Sequence, residues 1–204
     1  MSYQDLLGPL PESPIGHDFD PSRATESFVP TARAVVFQPK EFFAALPRQG
    51  NYVGPIVFFV ICAVVSSIIS GILGLLSGHT IGALITGIIG GAIFGTVGLV
   101  IISAIAHLLV TFIVGSINAG FEATLRVVAY SAVTALVSWI PIVGGLIALY
   151  GVYIAIVGIR EMHQTTTGKA ALVVLIPAAI VLVLLLVVAL IAGVALLGLS
   201  GGAS

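Results

Sequence analysis

The sequence predicts an all-α, polytopic helical membrane protein with five transmembrane helices and a short interfacial helix before the first. Hydrophobic residues make up 59% of the 204-residue chain and charged residues only 7%, whereas a soluble domain carries about 25% charged residues. No Asp, Glu, Lys or Arg occurs in residues 49–121, 127–159 or 170–204. Each stretch exceeds the roughly 20 apolar residues that cross a bilayer as a helix. An ordinary soluble domain is therefore excluded.

Turn-forming residues divide these stretches into the predicted spans. The run Ser77-Gly78-His79-Thr80 separates the first two spans, and Pro141 interrupts the second stretch. A single helix through residues 127–159 would be about 50 Å long, well beyond the roughly 30 Å hydrocarbon core. Composition leaves open whether the long second segment is one bent helix or two pieces. The predicted spans are about 52–76, 81–115, 122–139, 142–160 and 170–199.

The chain outside the spans has a different composition. Residues 1–35 are predicted to be a disordered, proline-rich cytoplasmic tail, residues 36–199 a five-span domain, and residues 200–204 a short tail. The segment PKEFFAALP, residues 39–47, predicts a short amphipathic helix in the headgroup region, with an irregular linker as the alternative. The lysines and arginines support a cytoplasmic N-terminus, because five spans then place all seven on one side: Arg23, Arg33, Lys40, Arg48, Arg126, Arg160 and Lys169.

The third predicted span carries a polar stripe. Glu122 and Arg126 are four residues apart with the acid first, the favourable order for an ion pair on one helix face. The same spacing continues through Tyr130, Thr134 and Ser138. Hydrogen bonding between helices is the favoured interpretation, and one wall of a permeation path is the alternative.

Histidines provide the other titratable candidates. His107 lies inside the second predicted span, where it can meet Tyr130 and Tyr153 at one depth; a structural hydrogen bond is favoured over a proton relay. Glu161 and His163 follow the fourth span and could supply two metal ligands, with His107 or His17 as a third. A catalytic zinc site needs three protein ligands, so a hydrated loop is favoured and no metal site is predicted.

Small residues recur at helical spacing around the first two spans. This pattern lets membrane helices approach closely, and packing within one chain is favoured over a homo-oligomer. The two sets, each spaced by four, are Gly74, Gly78 and Gly82, and Gly87, Gly91 and Gly95.

The order of motifs resembles the Yip-one domain (Ypt/Rab-interacting) family, particularly its prokaryotic members. The resemblance covers about residues 36–188, with Pro39, Phe42 and Phe43 before a span that opens with Gly54-Pro55. Its most specific elements are Arg126 with Tyr130, the turn Trp139-Ile140-Pro141, and Glu161-Met162-His163 leading to Gly168-Lys169-Ala170. The family implies five spans and a cytoplasmic N-terminus. Its eukaryotic members look like adaptors of vesicle traffic, whereas this compact form looks prokaryotic and implies a cell (inner) membrane.

The leading functional hypothesis is a non-enzymatic integral membrane scaffold or adaptor that recruits membrane or cytoplasmic proteins at its cytoplasmic face. The alternative is a small transporter or channel built on the polar stripe and His107. Neither catalytic residues nor a cofactor are predicted, and the net charge of -1 argues against nucleic acid as a partner. The candidate polar or partner-contact residues are His107, Glu122, Arg126, Tyr130, Glu161, His163 and Lys169.

Overall fold

The computed structural model describes residues 18–140 and 142–201, and every regular element in this part of the chain is helical. The predicted all-α class is therefore confirmed. Two short 3₁₀ segments, Pro21–Arg23 and Ala132–Val137, accompany the α-helices. The α-helices are α1 (Ala24–Phe37), α2 (Pro39–Ala45), α3 (Val53–Leu76), α4 (Ile81–Ile113), α5 (Phe121–Ser131), α6 (Val143–Met162) and α7 (Thr167–Gly201).

Four helices in the described residues are long and apolar enough to cross a membrane: α3, α4, α6 and α7. Helix α4 is a single helix of 33 residues, so the segment predicted over 81–115 forms one piece. The hydroxyl of Thr80 begins it by accepting a hydrogen bond from the N–H of Ala83 at 3.2 Å. The chain is thus an integral membrane protein with several membrane-crossing helices.

The third predicted span differs from the expected single helix over 122–139. Helix α5 ends at Ser131, and the chain continues as a 3₁₀ helix through Val137. Side-chain hydroxyls bind carbonyls within this region: Ser131 Oγ donates to Val127 O at 2.7 Å, and Thr134 Oγ1 donates to Ser131 O at 3.0 Å. Such local bonds compete with the regular helix. Neither segment alone is long enough to count among the four membrane-crossing helices.

Contacts between helices give the direction of each. A Cβ atom on Gly91 of α4 would meet Ser67 of α3, and one on Gly95 would meet Phe59, so these helices are antiparallel. Arg126 contacts Asn51, while Ser66 Oγ donates to Ala135 O at 3.0 Å, so α5 and its 3₁₀ extension run parallel to α3. A Cβ atom on Gly158 of α6 would meet Val127, and one on Gly151 would meet Thr134, so α6 and α5 with its 3₁₀ extension are antiparallel. The start of α3, the end of α4, the start of α5 and the end of α6 therefore meet at one end, named here the polar end.

Two turns lie at the end of the bundle away from the polar end, one between α3 and α4 and one near Trp139, and they reach different depths. Ala135 is level with Ser66, whereas α3 continues for ten more residues to Leu76, about 15 Å at the α-helical rise. Ser138 is three residues beyond Ala135 and therefore lies only about 6 Å further in the same direction, at the rise of a 3₁₀ helix. The turn near Trp139 thus ends about 9 Å short of the α3–α4 turn.

The N-terminal segment is more ordered than predicted. The sequence predicts disorder through residue 35, but residues 21–37 are helical and pack on the bundle. The physical reason is apolar burial, because Phe19 and Val35 are 2% and 0% exposed. The parts of the predicted tails at residues 1–17 and 202–204 lie outside the described residues.

The short helix predicted after Pro39 is present as α2. The rings of Phe42 and Phe43 are buried within the protein, and Phe42 packs edge-on against Tyr130 with ring centroids 5.1 Å apart. The apolar face of α2 therefore covers α5 and α6, in place of the lipid headgroups that the sequence suggested.

Candidate functional site

A buried arginine organises the polar end. The Arg126 side chain is 1% exposed, and its guanidinium binds carboxylates on both sides. Nη2 lies 2.7 Å from Glu122 Oε1 on the same helix, as the spacing of four predicts, and Nη1 binds Asp18 Oδ2. Nη2 also donates to the carbonyl oxygen of Asn51 at 2.9 Å. Nε also donates to Glu122 Oε1, at 3.3 Å, so four hydrogen bonds to three acceptor groups compensate the cost of removing this cation from water.

Tyr130 lies one turn further along α5 and binds the same carboxylate. Its side chain is fully buried, and its hydroxyl donates to Asp18 Oδ1. The hydroxyl oxygen also accepts a hydrogen bond from the N–H of Phe19 at 3.0 Å. Arg126 and Tyr130 therefore hold one oxygen each of the Asp18 carboxylate, and Tyr130 also fixes the backbone beside it.

The neighbouring Phe19 side chain occupies an aromatic environment. Its ring centroid lies 5.7 Å from that of Phe58 and 6.5 Å from that of Phe28, both edge-on. The backbone passes close to Gly54, where an added Cβ would stand 2.7 Å from the carbonyl oxygen of Phe19. The close approach of the two backbones therefore requires a glycine at position 54. We name the surface formed by Phe28, Gly54, Phe58, Arg126 and Tyr130 the Arg126 groove.

A second polar cluster links α4, α5 and the end of α6. The hydroxyl of Thr124 lies 3.0 Å from Nδ1 of His107 and 3.0 Å from Nε2 of His163. The N–H of Ala119 donates to Nδ1 of His163 at 3.2 Å, so this nitrogen carries no proton. We therefore assign the proton of neutral His163 to Nε2, from which it is donated to Thr124.

This environment favours the neutral form of His163. The side chain is 3% exposed, and burial, followed by the proximity of His107 and Arg48, lowers the pKa of His163 to about 4. One edge of His163 lines a pocket of about 170 Å³ at the polar end, together with Arg48, Asn118 and Gln164. His163 is therefore a neutral hydrogen-bonding residue near pH 7.

The remaining predicted candidates are separated from these clusters. Glu161 binds Arg160 through its carboxylate and does not join His163. The side chain of Lys169 is exposed, at the start of α7. Tyr153 is half-exposed and stacks on Tyr150 with ring centroids 5.5 Å apart. The predicted meeting of His107, Tyr130 and Tyr153 is therefore wrong, because these rings have different partners.

Several residues of the site were not identified from the sequence. Asp18 and Phe19 lie in the predicted disordered tail, and Thr124 was not among the candidates. One signal was available: Glu122 alone is a weak partner for an arginine on an otherwise apolar helix, which points to a second acid elsewhere. The sequence does not say which acid, since Asp18 and Arg126 are 108 positions apart.

The family model described as the Yip1 domain matches residues 33–199, most of the chain. No curated protein and no solved structure matches the chain. Because the family match extends from within α1 into α7, it includes Arg126, Tyr130 and both histidines of the second cluster. The chain belongs to the Yip1 domain family.

Proposed function

We propose that this integral membrane protein is a non-enzymatic scaffold or adaptor that recruits protein partners at its polar end. In this proposal the polar end faces the cytoplasm of a prokaryotic cell, and the protein crosses the inner membrane. The surrounding bilayer contacts the exposed apolar side chains of α3, α4, α6 and α7.

The distribution of charge carries the proposal. Charged groups are costly in hydrocarbon, so their confinement supports the polar end as the surface that meets water and, in this proposal, other proteins. The opposite turn, residues 77–80, contains no Asp, Glu, Lys or Arg. The charged residues around the ends of α3, α5, α6 and α7 at the polar end are Arg48, Glu122, Arg126, Arg160, Glu161 and Lys169.

Photo-crosslinking in native membranes tests the adaptor function. A photoreactive amino acid replaces Gln164, an exposed residue lining the pocket, or Leu149, a 69% exposed apolar residue on α6 as the matched control. We expect discrete protein adducts from position 164 and mainly lipid adducts from position 149. The absence of protein adducts at 164, or the same adducts at both positions, would remove the basis of the proposal.

The five-span topology is part of the same proposal. Helix α5 and its 3₁₀ extension comprise 17 residues and would advance about 28 Å, close to the hydrocarbon thickness, because a 3₁₀ helix rises faster than an α-helix. The alternating directions of α3 to α6 also support five crossings. The shallower position of the turn near Trp139 makes a re-entrant hairpin the competing topology.

Cysteine labelling separates these topologies. In a Cys62→Ala background, single cysteines replace Ser77, Ser138 or Thr166. We expect an impermeant reagent outside the cell to label positions 77 and 138, and to label position 166 only after permeabilisation. Protection of position 138 from both sides would establish a re-entrant hairpin and reduce the number of spans.

A small transporter remains the alternative function, and the polar stripe gives it little support. Asp18 accepts hydrogen bonds from both Arg126 and Tyr130, and Arg126 also binds Glu122 and Asn51. Thr134 and Ser138 donate to nearby carbonyls. The chain of hydrogen bonds through His107, Thr124 and His163 is a feature that favours proton movement. Proton flux in liposomes, lost in His107→Ala, would support transport, and an inert, tight vesicle would count against it.

A further inference from the structure

The Arg126 groove is filled by a segment of the chain itself. The groove walls come from α1, α3 and α5, and its contents are two consecutive residues that precede the first helix, Asp18 and Phe19. Four kinds of contact hold them there: a carboxylate on a cation, a backbone hydrogen bond, a buried ring and a close backbone approach. We propose that the groove is a binding site for an acidic–aromatic dipeptide of a partner protein, which the chain's own Asp18–Phe19 occupies as a competitor.

The chemistry of the empty groove selects a carboxylate. Without Asp18, Nη1 of Arg126 and the hydroxyl of Tyr130 would each lack their acceptor, although both side chains are buried. An unpaired buried donor is costly, so the groove favours any ligand that supplies an oxygen to each. A planar carboxylate does so with its two oxygens, in the arrangement that Asp18 adopts.

Charge limits the ligand to a single negative charge. Glu122 already neutralises Arg126, so the groove without the tail carries no net charge at this pair. A phosphate dianion would place two further negative charges near Glu122, and repulsion would oppose its binding. An aspartate or glutamate side chain is therefore a better ligand than a phosphorylated residue.

The position after the acid selects an aromatic ring. Phe19 is 2% exposed between the rings of Phe28 and Phe58. Its carbonyl oxygen passes Gly54, where a side chain on the groove would block the peptide backbone. Acid and ring are consecutive in Asp18–Phe19, which gives a two-residue recognition element.

A partner can reach the groove from water. The Asp18 side chain is 23% exposed, whereas the Arg126 side chain beneath it is 1% exposed, so the carboxylate forms the outer layer of the site. A tethered segment competes at a high local concentration, which weakens the apparent affinity for any partner. Displacement of Asp18–Phe19 would therefore couple partner binding to release of the N-terminal segment. This inference rests on the adaptor function proposed above.

Peptide binding to the purified full chain in nanodiscs tests the inference. The probe is a fluorescent peptide with the sequence of residues 16–22, Gly-His-Asp-Phe-Asp-Pro-Ser, and the control peptide carries Asn in place of the first Asp. The protein is either wild type or the double variant Asp18→Ala/Phe19→Ala, which vacates the groove. Where the double variant lacks a cooperative melt, Asp18→Asn replaces it, because the neutral amide weakens the hold of the chain's own segment on Arg126 and lets the probe compete, although Phe19 stays in the protein.

We expect the probe to bind the vacated protein at least about tenfold more tightly than the wild type, and the control peptide to bind the vacated protein about tenfold more weakly than the probe. Equal affinity for both proteins, equal affinity of both peptides, or no binding to the folded variant would overturn the inference. Loss of peptide binding with crosslinks retained at Gln164 would place the partner elsewhere on the polar end. Loss of those crosslinks would instead remove the adaptor function.

Discussion

Asp18 binds the buried guanidinium of Arg126 across 108 positions of sequence. Because Glu122 and the carbonyl of Asn51 bind the other side of the guanidinium, the arginine joins α5 to both the N-terminal segment and the start of α3. An ion pair inside a protein stabilises the fold weakly as a pair, but removing one partner leaves an uncompensated group. The contribution of Asp18 to the stability of the fold can therefore be measured by substituting this residue.

We predict that Asp18→Ala lowers the free energy of unfolding in mixed detergent micelles by about 2 kcal/mol. This value is below the 3–5 kcal/mol typical of a broken buried pair, because the Asp18 side chain is 23% exposed and partly screened. Arg23→Ala is the matched control, since its ion pair with Asp20 lies at the surface, with the arginine side chain 72% exposed. Equal losses in the two variants would mean that the Arg126 pair adds no more than a surface contact.

The sequence predicts the long helices because hydropathy alone identifies them. Helix α3 and the single helix α4 coincide closely with predicted spans, since charge-free apolar runs of this length have few other structures available in lipid. The 3₁₀ segment after Ser131 could not be predicted, because it depends on which carbonyl each hydroxyl reaches. The residues that pack around it are distant in the sequence.

The candidate site was predicted in part for a related reason. Glu122, Arg126 and Tyr130 follow a helical spacing, so their shared face is visible in the sequence. Asp18 and Phe19 have no periodic relation to them, and the proline-rich composition of residues 1–35 predicts disorder where they lie. Their placement follows only from tertiary contacts, which supply the burial that local composition lacks.

We predict a loss of stability on acidification that depends on His163. Its folded-state pKa of about 4 lies below the usual value of 6.5, so the unfolded chain binds a proton that the folded protein does not in the interval between them. The stability that neutral His163 confers is therefore complete above about pH 6.5 and is lost as the pH falls toward 4, by about 3 kcal/mol at most.

Unfolding of the wild type and His163→Asn between pH 7.5 and 4.5 measures this effect. Asparagine retains an oxygen acceptor for the N–H of Ala119 but does not titrate. The variant should lose less stability across the interval than the wild type. Parallel pH profiles for the two proteins would assign the acid sensitivity to other groups.

We predict that Gly158→Ala destabilises the packing of α6 against α5 and α2. The added methyl would stand 2.7 Å from Cγ1 of Val127 and 3.1 Å from the ring of Phe43, so the expected loss is about 1–3 kcal/mol. Gly98→Ala in α4 is the control, because no atom lies within 4 Å of its added Cβ. Because Val127→Ala is itself destabilising, the test is a double-mutant cycle: Gly158→Ala should cost less in a Val127→Ala background than in the wild type, and an equal cost in both would exclude this clash as its cause.

The glycine face of α4 provides a test between packing within one chain, which the sequence favours, and the alternative of a homo-oligomer. A Cβ on Gly91 would lie 2.6 Å from Ser67 Oγ of α3, whereas one on Gly87 meets nothing within 4 Å. Gly91→Leu should therefore lower the melting temperature by disrupting the α3–α4 pair, and Gly87→Leu should change neither the melting temperature nor the mass of the protein in detergent by light scattering. Dissociation of a larger species by Gly87→Leu would instead identify this part of the face as an interface between chains, because a leucine there prevents the close helix approach that glycine permits.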